Sequence, residues 1–214
     1  RDREARPTAT NPDAVNCENR FFNGKIPVCL QKPISGGQNI NHRSFPLHLQ
    51  PPFMQAINEL YLLLNKPAKV VITTHQKPDP DAMGSSLALY HLLVQLGHTV
   101  QVISPTNWAA FLDWMPGCEN VLNYEITIDK SNTIINNADW IFCLDFNALN
   151  RLKRMAQVVS DAKAQRVLID HHREPQTEVF VYGVSDVTKS STSEMVYDFI
   201  VQSGHADRLS LIHI

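Results

Sequence analysis

The stretch VVITTHQKPDPDAMGSS, residues 70–86, decides how this chain is read. Val70–Thr74 is a β-branched apolar run, the signature of a strand buried on both faces. It surfaces directly into His75, Asp79 and Asp81, and a helix start follows at about Ala82. A strand, a polar turn and a helix in that order make the first half of a βαβ unit.

Working outward, the same alternation recurs. An amphipathic stretch, MQAINELYLLL, predicts a helix over about 54–64. The helix after the first motif ends at Gly97, which suits a left-handed cap. Strands are predicted at Thr99–Ser104, near Val121–Tyr124, at Trp140–Leu144, at Arg166–Asp170 (RVLID) and at 178–183 (EVFVYG). A weak helix follows the second of these, a helix spans about 150–164, and a last one runs from Ser191 to Ser203. Continuous apolar strands separated by helices predict an α/β fold, a doubly wound (Rossmann-like), mostly parallel sheet with helices on both faces.

Composition limits the partners. The 214 residues are 43% hydrophobic, enough for a core, and the formal net charge of −2 offers no footprint for long nucleic acid or an anionic membrane surface. No stretch approaches the roughly 18–20 apolar residues of a membrane span, and the N-terminus has no signal-like apolar core. Cys17, Cys29, Cys118 and Cys143 form no CxxC pair, which fits a reducing cytoplasm. Residues 1–53 hold seven of the 13 prolines and no sustained hydrophobic period. They are expected to be a disordered or non-native extension, and Met54, the first methionine, to be the natural start.

Three strands share one peculiarity. VVITTH ends in His75, with Asp79 and Asp81 close behind. WIFCLD ends in Asp145, and RVLID ends in Asp170, followed by His171 and His172. The carboxyl ends of parallel strands lie along one edge, where ligands bind. So many carboxylates at one edge repel each other unless cations sit among them. Aspartate oxygens mixed with imidazoles, and no thiolate, point to two divalent ions, Mn²⁺ first, with Mg²⁺, Co²⁺ or Fe²⁺ as competitors. Two such ions suit phosphoryl hydrolysis. Taken singly, each signal has a plainer reading: Asp79-Pro80-Asp81 as a turn and helix cap, Asp145 as a loop polar residue, His171-His172 as surface histidines. Trp108 and Trp114 would stack a base or, more simply, pack the fold. Arg151, Lys153 and Arg154 read as a solvated helix face. His42, His48, His91, His98, His205 and His213 read as structural or exposed.

HQKPDPDAMGSS, LDFN, IDHH and KSSTSEMVYDF, in this order, resemble the successive motifs of the DHH phosphoesterase superfamily over roughly residues 54–203. The branch they most resemble is the bacterial oligoribonuclease and 3′-phosphoadenosine 5′-phosphate phosphatase. The resemblance implies that His75 and Asp79 bind one metal, Asp81 and His171 a second, and that Asp145 bridges both. It makes His172, Asp145 and Asp81 the catalytic group, with His172 facing the scissile phosphate. Asp170 then orients a histidine from behind the ligands. Gly84 and Ser85 keep the first helix turn clear of the metals. Ser191, Thr192 and Ser193 are expected to contact substrate, as is Arg173. SSTSE at 190–194 reads independently as a helix start with a Ser or Thr cap and a glutamate reaching back.

The implied activity is hydrolysis of short oligoribonucleotides or of the nucleotide phosphate by two-metal-activated water, in a cytoplasmic protein compatible with a homodimer. Relatives also cleave cyclic dinucleotides or pyrophosphate, and a metal- or nucleotide-binding module without turnover is the competing class. Superfamily members continue into a strand with a further aspartate and a smaller substrate-binding domain. The expectation is therefore that residues 54–214 form the catalytic domain without that second domain.

Overall fold

The computed structural model describes residues 54–208. The expectations for residues 1–53 lie outside this range. Among the described residues seven strands form a single sheet: β1 (Gln55–Ala56), β2 (Lys69–Thr74), β3 (Thr99–Ser104), β4 (Leu122–Asn123), β5 (Trp140–Leu144), β6 (Gln165–Asp170) and β7 (Tyr182–Ser185). Their order is β1-β7-β6-β5-β2-β3-β4, and every pairing is parallel. The predicted doubly wound α/β class is the one observed.

Alternate residues of each strand feed opposite faces. Val70, Ile72, Val102, Phe142, Leu144, Val167 and Ile169 pack with side chains of α1 (Pro80–Gln95) and α4 (Thr192–Gln202). Val71, Ile103, Ile141, Cys143 and Leu168 pack on the other face with Ile135 of α2 (Ile128–Asn136) and Val159 of α3 (Ala156–Asp161). Strands buried on both sides have no polar face, which is why they read as unbroken apolar runs. Cys143 lies wholly inside this layer, where burial pushes its thiol up to about 12. Among the described residues no helix is long and apolar enough to cross a membrane.

Strand order sets the location of chemistry. From β2 the chain winds outward to β3 and β4; from β5 it winds the other way to β6 and β7. The switch point therefore lies between β2 and β5, where the connections leave in opposite directions and open a crevice at the carboxyl edge. His75 follows β2, and Asp145 follows β5.

Helix α1 starts at Pro80, two residues before the predicted boundary, because proline at the first helical position gives up an N–H that has no partner there. It closes as predicted at Gly97 (φ +87), with the His98 N–H on the Leu93 carbonyl and the Gly97 N–H on that of Val94. Three expectations change. The helix predicted over 54–64 is instead β1 followed by two 3-10 turns, Ile57–Leu60 and Leu63–Asn65. There the Gln55 N–H joins the Val181 carbonyl at the sheet edge, while Leu60 and Leu64 keep their four-residue spacing into the core. The helix predicted over 150–164 divides into a 3-10 segment, Leu149–Met155, and α3, with Lys153 in the left-handed half of backbone space (φ 51). In EVFVYG only Tyr182 and Gly183 belong to β7; Thr177–Val179 is a 3-10 turn.

His98 illustrates a structural histidine. It is 6% exposed; its Nδ1 accepts from the Ala68 N–H at 3.1 Å, and its Nε2 donates to the Leu64 carbonyl at 3.0 Å. Burial holds this imidazole below its ordinary 6.5 despite the Leu64 carbonyl, which pulls the other way. A group whose folded value is depressed stabilises fully above its unfolded value and loses that contribution as pH falls through the folded one. His98→Gln should therefore lower stability by about 1–3 kcal/mol at neutral pH, the range for buried groups left unpaired. The difference in melting temperature from wild type should narrow as pH drops below 6.5. A gap that is constant with pH would refute this reading.

Candidate metal centre

The three strand ends meet. The Asp145 carboxylate, 2% exposed, lies at the middle of the cluster and presents one oxygen to each side. Its Oδ2 is 3.5 Å from His75 Nε2, and its Oδ1 is 3.5 Å from His171 Nε2. Asp145 itself has φ +64, a left-handed conformation that aspartate tolerates better than most residues. Asp79 Oδ2 stands 3.9 Å from His75 Nε2, and Asp81 Oδ2 3.8 Å from His171 Nε2.

Asp79 caps a helix and also faces the cluster. Its Oδ1 caps α1 by accepting from the N–H groups of Asp81 and Ala82, each at 3.0 Å, which leaves Oδ2 for the cluster. One carboxylate oxygen serves the helix and the other faces the site.

Each histidine is oriented through Nδ1. That of His75 is 2.8 Å from the Gln76 carbonyl, and that of His171 is 3.3 Å from the Lys189 carbonyl. A carbonyl only accepts, so Nδ1 carries the hydrogen and the Nε2 lone pair faces the carboxylates, the tautomer a metal requires. Burial alone would lower the His75 pKa, but Asp145, the Gln76 carbonyl and Asp79 together raise it, so a proton on Nε2 is the cation these groups otherwise attract. His172 Nδ1 lies 2.7 Å from Oδ1 of Asp170, a fully buried carboxylate. The histidine that Asp170 touches is His172.

The residues fit divalent cations. Among the described residues Asp79, Asp81, Asp145 and Asp170 have no ion pair with lysine or arginine; each has instead an imidazole nitrogen within 3.9 Å. Asp170 Oδ2 is buried without a hydrogen-bond partner. Among the described residues two sets bring one candidate ligand atom per residue within 4.8 Å of the others: His75, Asp79 and Asp145, and Asp145, His171 and His172. The first is the set predicted for one metal. The second contains His172 where Asp81 was predicted. Asp81 is drawn towards α4: its Oδ2 accepts from the Thr192 N–H and its Oδ1 from the Ser193 N–H, both at 2.8 Å. The His172 atom nearest Asp145 is Nδ1, at 3.8 Å, which Asp170 already occupies.

Most side chains flanking the cluster meet protein. Thr192 is fully buried, and its hydroxyl donates to Asp145 Oδ1 at 2.9 Å instead of facing substrate. Ser191 caps α4 by accepting from the Glu194 N–H, and Glu194 reaches back to Ser190 rather than to the cap residue. Ser193 Oγ lies 3.4 Å from the Asp81 carbonyl. The start of α4 is turned inward onto the cluster, so these hydroxyls are engaged by protein. Ser85 Oγ returns to the Ala82 carbonyl in its own helix, and a Cβ on Gly84 would meet Ser193 Oγ at 3.5 Å, so its neighbour is α4 and not the cluster. Arg173 is exposed in the loop after β6, where its carbonyl accepts from Asn147 Nδ2 at 2.8 Å. Trp108 packs against the core with Nε1 on Asp113, whereas Trp114 is exposed. Sequence reasoning missed the Lys189 carbonyl and the Thr192 hydroxyl as partners of the cluster. A carbonyl leaves no mark in the sequence, and a helix-start threonine reads the same whichever way it turns.

Residues 69–212 match the family model described as DHH family, N-terminal domain. An exopolyphosphatase-related protein from Bacteroides fragilis is similar in structure, with a TM-score of 0.70 and 38% identity over 72% of this chain and 45% of that one. Exonuclease RecJ bound to manganese gives a TM-score of 0.44 at 14% identity, covering 78% of this chain and 40% of that one. RecJ from Thermus thermophilus in complex with Mn²⁺ gives 0.46 at 14%, covering 78% and 23%. The chain spans less than half the length of each of these proteins.

Proposed function

The chain belongs to the DHH family, whose N-terminal domain its residues 69–212 match, and from that premise we propose that it is a two-metal phosphoesterase acting on short oligoribonucleotides or on 3′-phosphoadenosine 5′-phosphate. The observation that carries this reading is the two-sided carboxylate of Asp145, with an imidazole nitrogen 3.5 Å from each oxygen. A carboxylate held that way is built to be shared.

Two divalent cations, manganese by preference, would supply an activated water and neutralise phosphoryl charge. His75, Asp79 and Asp145 Oδ2 would hold one, and Asp81, His171 and Asp145 Oδ1 the other. The protein's own part is to keep both imidazoles in the Nε2-free tautomer and to bury the shared carboxylate. His172, fixed through Nδ1 by Asp170, presents Nε2 to the scissile phosphate and stabilises its charge or passes a proton. Arg173, exposed beside the pair, offers a cation to a second phosphate. The site acts in the cytoplasm on this reading, where Cys118 and Cys143 stay free thiols.

The test is Mn²⁺-dependent turnover by the purified chain. A ribodinucleotide, 3′-phosphoadenosine 5′-phosphate and short polyphosphate are offered in parallel. Release of nucleoside monophosphate or of adenosine monophosphate is the expected result, and polyphosphate cleavage alone would move the substrate class towards that of the Bacteroides relative's name. Metal binding with no turnover on any of the three would favour a binding module instead.

A further inference from the structure

The turn leading into α4 touches every residue assigned to one metal position and spares the two that belong only to the other. The Lys189 carbonyl faces His171 Nδ1, the N–H groups of Thr192 and Ser193 hold the two oxygens of Asp81, and the Thr192 hydroxyl donates to Asp145. The last contact discriminates by atom. Thr192 binds Oδ1, the oxygen facing His171, and not Oδ2, the oxygen facing His75. His75 takes its orienting bond from the adjacent Gln76 carbonyl, and Asp79 from its own helix.

This turn is itself anchored. Ser191 and Glu194 cap it, and the Lys189 ammonium bridges Glu194 and Asp198 at 3.0 and 2.7 Å. Thr192 sits 47 residues from Asp145 and 111 from Asp81 in sequence, so only the packing of α4 beside α1 and the sheet unites them. A hydrogen bond to one lone pair of a carboxylate oxygen fixes the direction of the other. Loss of such an outer partner lowers metal affinity by about 10–100-fold.

We propose that Thr192 is a positioning residue for one metal position alone: the 189–193 turn sets the geometry of Asp81, His171 and Asp145 Oδ1, and so governs the second cation without governing the first. The inference rests on the two-metal reading above. Thr192→Val keeps the shape and the backbone N–H but removes the hydroxyl; Thr192→Ser keeps the hydroxyl.

The experiment is a calorimetric titration of the full chain with Mn²⁺, paired with electron paramagnetic resonance for coupled manganese pairs. Wild type should take up two ions in two steps. Thr192→Val should weaken one step by about 10–100-fold, leave the other in place and delay the coupled signal to higher Mn²⁺, and Thr192→Ser should restore both. Should the valine variant not fold, Lys189→Met, which frees the turn from Glu194 and Asp198, should weaken the same step several-fold. Equal movement of both steps, movement of neither, or a serine variant indistinguishable from valine would overturn the proposal. Uptake of a single ion by wild type would refute the two-metal reading itself, before any variant is compared.

Discussion

Asp145→Asn is expected to abolish metal-dependent hydrolysis while leaving the metal-free fold at least as stable as wild type at mildly alkaline pH. Asparagine matches the aspartate in shape and tolerates the φ of +64 that this position adopts. It replaces one carboxylate oxygen by an amide that donates, so one of the two sides loses its acceptor outright. Because both sides draw on this one group, the loss should exceed that of an outer partner: about a thousandfold or more in kcat/KM, or about 4 kcal/mol at 1.36 kcal/mol per tenfold. Without metal, and with the imidazoles neutral, the substitution removes a buried charge from a group of four carboxylates, so nothing stabilising disappears. Thermal melts give the second half of the test. Mn²⁺ should raise the melting temperature of wild type by binding the folded state and should raise that of the variant little or not at all. A variant with wild-type turnover, or with an undiminished Mn²⁺ shift, would show that Asp145 is not shared.

His172→Gln is expected to lower kcat by about 100- to 10,000-fold, the range for a positioned proton-transfer or charge-stabilising group, with metal uptake unchanged. The reason lies in its hydrogen bond. The nitrogen nearest Asp145 is committed to Asp170 at 2.7 Å, and only Nε2 remains for an incoming group. His171→Gln should do the reverse and weaken uptake of one ion, since its Nε2 faces Asp145 and Asp81. The adjacent histidines, with rings 4.9 Å apart, would then separate into one that binds metal and one that meets substrate. Equal losses of metal from both variants would assign His172 to the metal and refute this division.

Much of the architecture is legible in the chain because burial on both faces leaves no choice of residue type. Strands β2, β3, β5 and β6 fall where their apolar runs predict, within a residue or so. The segment 54–64 misleads because a four-residue apolar spacing satisfies two 3-10 turns as readily as a helix, and the deciding bond, Gln55 N–H to the Val181 carbonyl, spans more than a hundred residues. The helix predicted after β5 opens instead as a 3-10 segment that holds Arg151, whose carbonyl accepts from the Gln76 N–H in the loop that carries His75. That contact belongs to the site rather than to local propensity. In the same way, nothing in SSTSE distinguishes a helix start open to substrate from one turned inward onto two carboxylates.

The chain by itself determined that His75, Asp145 and the Asp170–His172 group stand at strand ends, and that a parallel sheet brings such ends to one edge. Both follow from local burial and from the single direction that parallel strands share. Only the tertiary structure decided that β2 and β5 are neighbours at the switch point, that each oxygen of Asp145 faces a different imidazole, and that α4 closes on Asp81 through its first N–H groups. Those facts depend on strand order and helix docking, which are set by the mutual fit of surfaces far apart in sequence and which no single segment encodes.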